Sequence, residues 1–95
     1  MPTATAQEET IEGVPGVQFT TDARQDTEWE VKLQEIQSEL SGGVVRPPDP
    51  TLAHLSLVSV AQAGGPSYAA ICLWVPTAQR SQAAELLRSA GFTVS

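Results

Sequence analysis

Basic residues are scarce in this chain. Five Lys and Arg stand against eleven Asp and Glu, a formal charge of −6 over 95 residues. A nucleic-acid binder needs a basic face that releases counterions from phosphates, so the balance excludes that class. One cysteine excludes an internal disulfide and any cysteine-rich zinc site. A single histidine among scattered carboxylates supplies no metal-ligand spacing. No apolar run approaches the roughly 20 residues that a membrane-crossing helix needs. The opening stretch Met1 to Glu9 has neither a basic n-region nor an apolar h-region, so it does not read as a signal peptide. The phosphate-binding P-loop and the dinucleotide fingerprint are absent as well. These gaps point to a soluble, reduced, cytoplasmic protein without a cofactor, a metal, a membrane or a nucleic-acid partner.

What is present is enough for one domain. Hydrophobic residues make up 41% and charged residues 17%, a composition that can bury a single core. The charge is lopsided. Residues 1–50 hold ten of the acids and three of the bases, whereas residues 51–95 hold one acid, Glu85, and two bases. Residues 1–13 are small, polar and acidic, without an apolar period. They read as a mobile tail, because they bury too little to offset ordering entropy. The domain then spans residues 14–95.

The pattern within it is legible in pieces. Val17 to Thr20 alternates apolar and polar, which predicts a short strand. Thr27 and Glu30 have capping-box spacing. Trp29, Leu33, Ile36 and Leu40 follow as one stripe of a helix that ends at Gly42-Gly43. Glu28 and Lys32 form an i, i+4 pair, and Glu28, Glu35 and Glu39 belong to the wet face. The proline-rich stretch Arg46 to Pro50, with a bare PxxP, reads as an extended connector. Leu52 to Gln62 and Tyr68 to Val75 read as strands around a turn at 63–67. The second helix opens at Pro76-Thr77, with Thr77 as N-cap, and carries Ala83, Leu86, Leu87 and Ala90. Gly91 closes it, Phe92 folds back on Leu87, and Phe92 to Ser95 is a last strand. The expected core is Phe19, Leu33, Ile36, Leu40, Leu57, Ile71, Leu73, Val75, Leu86, Leu87 and Phe92.

This order, strand-helix-strand-strand-helix-strand, resembles the ferredoxin-like fold. It implies an α+β domain, a four-stranded antiparallel sheet with two helices on one face. Along the third strand Ala69, Ile71, Leu73 and Val75 point to the helices, and Tyr68, Ala70, Cys72 and Trp74 to the open face. An apolar open face marks an interaction surface, so Tyr68, Cys72 and Trp74 are the candidate partner-binding residues. Glu28, Glu35 and Glu39 join them as a steering surface for a basic partner. No catalytic residue is assigned. His54 and Cys72 fall on the order of 13 Å apart at the strand rise, too far for a nucleophile and its base.

Two shorter resemblances bear on function. Gly13 to Phe19 (Gly-Val-Pro-Gly-Val-Gln-Phe) is similar to the phosphate-cradling loop of acylphosphatases. Thr20 stands where that family has an arginine, and the chain has no asparagine, so the likeness implies a degenerate relative. Residues 55–95, above all Ala83 to Val94, resemble the hairpin, second helix and last strand of ACT-like regulatory domains. That likeness implies an amino-acid effector bound near Thr21 to Asp26, where this chain lacks the family's Pro-Gly. The residues themselves favour a small non-enzymatic protein-interaction module: a regulator, adaptor or inhibitor. It would dock on a protein with a basic surface, or self-associate through the sheet.

Overall fold

The structure, a computed structural model, describes residues 3–21, 27–43, 51–60 and 68–95. Seven elements follow in order: β1 (Thr3–Ile11), β2 (Val14–Thr21), α1 (Thr27–Leu40), β3 (His54–Val60), β4 (Tyr68–Pro76), α2 (Arg80–Ser89) and β5 (Thr93–Val94). A 3-10 turn over Thr77–Gln79 leads into α2. One five-stranded mixed sheet has the order β3-β4-β2-β1-β5. β1 pairs antiparallel with β2 and parallel with β5. β4 lies antiparallel between β2 and β3. This α+β arrangement is compatible with a ferredoxin-like fold, but the expected four antiparallel strands are corrected to five, partly parallel.

The fifth strand comes from the stretch read as a tail. Thr3 to Ile11 runs beside β2 over its full length, joined by a tight turn in which Glu12 and Gly13 both have positive φ (49° and 80°). Its inward positions are Ala4 and Ala6, too small to give the apolar alternation of a half-buried strand. The backbone ladder on both sides orders it instead. The sheet therefore begins at residue 3, and β1 separates β2 from β5.

Both helices pack on one sheet face. Val17 and Phe19 of β2 and Ile71, Leu73 and Val75 of β4 meet Leu33, Ile36 and Leu40 of α1 and Ala83 and Leu87 of α2. Leu86 is only partly buried, and Leu57, expected inside, is 61% exposed because β3 is the sheet edge. The helix ends are as expected. Gly43 donates to Ser38 and Gly42 to Glu39, while Phe92 donates to Leu87 and Gly91 to Arg88. Both are Schellman closures, with Gly42 at φ 74° and Gly91 at φ 105°. Thr77, by contrast, makes no side-chain cap, because it lies in the 3-10 turn.

α1 is tied to its neighbours at both flanks. Lys32 Nζ donates to the Ala90 carbonyl at the end of α2 (3.3 Å) and sits 4.4 Å from the centroid of the Trp29 ring. On the other flank, buried Gln37 donates to the Ala53 carbonyl just ahead of β3 (2.9 Å). Among the described residues no helix is long and apolar enough to cross a membrane.

Candidate functional site

The sheet face away from the helices was expected to expose Cys72 and Trp74. That expectation is corrected. Cys72 is fully buried and Trp74 is 1% exposed. Neither residue belongs to the cluster packed by α1 and α2. The Trp74 indole lies down across the neighbouring strands instead. It passes over Gly16 of β2 and donates its Nε1–H to the Glu9 carbonyl of β1 (2.9 Å). Gly16 is the flat spot this requires. A Cβ there would run into the Trp74 ring and come within 2.6 Å of the Val75 carbonyl oxygen.

His54, directly opposite Trp74 in the ladder, stacks on the indole at 5.5 Å between ring centroids. Its Nδ1 is 2.8 Å from the Leu52 carbonyl oxygen. Cys72 Sγ donates weakly to Thr20 Oγ1 at 3.7 Å. The register sets Cys72 opposite Ser56, two residues from His54 rather than four. The diagonal spacing is thus about 7–8 Å, shorter than the sequence implied. The two side chains are still engaged elsewhere: His54 with the indole and Leu52, Cys72 with Thr20. The side chain of Tyr68 lies outside the described residues.

The acidic residues behave as expected. Glu28, Glu35 and Glu39 are all exposed on α1. Glu28 pairs with Lys32 at 3.8 Å. Among the described residues Glu35 and Glu39 make no ion pair. They border an open recess of about 460 Å³ on the outer side of α1, lined by Val31, Gln34, Glu35, Ser38, Glu39 and Gly43. Val31, in its lining, is 46% exposed. Charge and period pointed to the acids but not to Val31, which falls outside the core stripe and marks the outer face only once that stripe is packed.

The acylphosphatase-like segment is not a loop. Gly13 lies in the β1–β2 turn, and Val14 to Phe19 run extended within β2. Most of the stretch where the ACT-like resemblance implies an effector, residues 22–26, lies outside the described residues. Among the described residues no group of three or more His, Cys, Asp or Glu could hold a metal ion. No protein-family model, curated protein or solved structure matches this chain.

Proposed function

We propose that the chain is a ferredoxin-like domain with an added N-terminal strand, acting as a non-enzymatic protein-interaction module whose docking surface is the outer face of α1. One observation carries this reading: an exposed valine in one i, i+4, i+8 row with two carboxylates, lining an open recess on a helix otherwise anchored on both flanks. Val31 supplies apolar area. Glu35 and Glu39 supply negative potential that speeds encounter with a basic surface. Lys32 and Gln37 fix the helix, so a partner meets a pre-formed surface.

Affinity capture from native lysate tests this. A partner held at low salt should be released at high salt, and lost when Glu35 and Glu39 are both changed to Lys. Capture that is indifferent to salt and to the charge reversal would overturn the reading.

A further inference from the structure

We infer that two copies of this chain associate edge to edge through β3, antiparallel, about a two-fold axis at Leu57. The inference is independent of the α1 surface.

The direction of each backbone group follows from the ladder. Ala6 N–H donates to Ser95, and Ser95 N–H donates to Ala4. Even-numbered residues of β1 therefore turn their backbone groups toward β5, and odd-numbered ones toward β2. The register runs without a bulge from strand to strand, so the parity can be followed. Glu9 faces Gly16, which leaves Val17 and Phe19 turned toward Val75 and Leu73. Cys72 and Trp74 are then turned toward Ser56 and His54. The groups left over on β3 belong to Leu55, Leu57 and Ser59. Their N–H and C=O point outward from the last strand of the sheet. Among the described residues nothing pairs with them.

The two edges of the sheet differ. β1 is covered by β5 only near Thr3 and Ala4, and its remaining length carries Glu8 and Glu9. Charge of that kind blocks pairing with a like strand. The stretch from Thr51 to Val60 has no Asp, Glu, Lys, Arg or Pro. It carries none of the residues that protect an edge, and its Leu57 side chain is 61% exposed.

The occupant is a second copy because the edge matches itself. With the axis at Leu57, Leu57 meets its symmetry mate, and Leu55 meets the mate of Ser59. Each outward N–H then finds an outward carbonyl, as an isologous interface requires. Gln37 marks the β3 flank of α1 and Lys32 the α2 flank. At 100° per residue, Glu30, Gln34 and Ser38 fall on the β3 side, while Glu28, Glu35 and Glu39 fall away from it. Glu30 is the acid on the seam side of α1, and it adds to the repulsion between copies. The net charge of −6 per copy still repels at long range, so salt should tighten the dimer. That is the opposite sign from the salt effect on a basic partner at α1, which separates the two readings.

Sedimentation of the full chain, from about 1 μM to about 1 mM, tests the inference. The expected result is a monomer–dimer equilibrium with Kd on the order of 10–100 μM, tighter at high salt, as a small interface implies. Leu57→Lys should weaken it at least tenfold, with the circular dichroism and melting temperature of the monomer unchanged. Ser59→Pro removes one outward donor and no bond to β4, and it serves as the second variant should Leu57→Lys fail to fold. A monomer at about 1 mM in both salts would overturn the inference. So would a dimer indifferent to both variants, or open-ended assembly without a dimer plateau.

Discussion

The two faces of β4 are equally dry but are sealed by different means. Ile71, Leu73 and Val75 lie under two helices, within a cluster to which both helices and β2 contribute. Cys72 and Trp74 lie outside that cluster, yet they are buried as deeply. The contacts described there are the indole's seat over Gly16, the stacked His54 ring and the bond from Nε1–H to the Glu9 carbonyl. The helix side distributes its burial over many residues, whereas the far side concentrates it in Trp74.

Concentration of this kind has measurable consequences. Trp74→Ala should destabilise the protein by about 3–5 kcal/mol, as much as Leu73→Ala on the helix side, at about 2–5 kcal/mol. Urea unfolding measures both. A Trp74→Ala effect within about 0.5 kcal/mol, the range of ordinary surface changes, would mean that the far face is only surface. Gly16→Ala should cost about 1–3 kcal/mol by overpacking against the indole. Made in a Trp74→Ala background it should cost less, with only the close approach to the Val75 carbonyl left, and this non-additivity reads out the contact with the ring. Trp74→Phe keeps a ring but loses the donor to Glu9. It should cost roughly 1 kcal/mol for the hydrogen bond, plus the lost ring area. Smallest of all, the double change of Glu35 and Glu39 to Lys should alter stability by no more than about 0.5 kcal/mol. Its effect should be confined to partner capture.

The same contrast explains what could be read from the sequence. The helix-side core was legible because its signals are local. The stripe Trp29, Leu33, Ile36 and Leu40 and the Leu87–Phe92 closure lie within one helix and its cap, and the alternation of Ile71, Leu73 and Val75 lies within one strand. Trp74 sits in that strand too, but its environment is set by Gly16 and Glu9, far away in the chain. In the sequence Gly16 looks like part of a turn. Its lack of a side chain acts instead as a seat for a ring. β1 was hidden for a related reason: its inward residues Ala4 and Ala6 are small, and its outward ones, Thr5, Gln7 and Glu9, are polar, so no apolar alternation shows. Gln37 is buried on a helix side that reads as polar, because its partner is the carbonyl of Ala53 across a chain reversal. Of the candidate site, the acids of α1 were legible from charge and period. The loss of Cys72 and Trp74 from the surface was not.

The short parallel seam between β1 and β5 joins residues almost the full length of the chain apart. Contacts of such separation form only after the intervening chain is already compact. The hairpin of β1 and β2 can assemble early and locally, but its outer strand waits for α2 to deliver β5. The order of events in folding is thus written into the strand order, with the seam as its final stitch. The amides of Ala6 and Ser95 should in turn be among the first ladder protons to exchange with solvent.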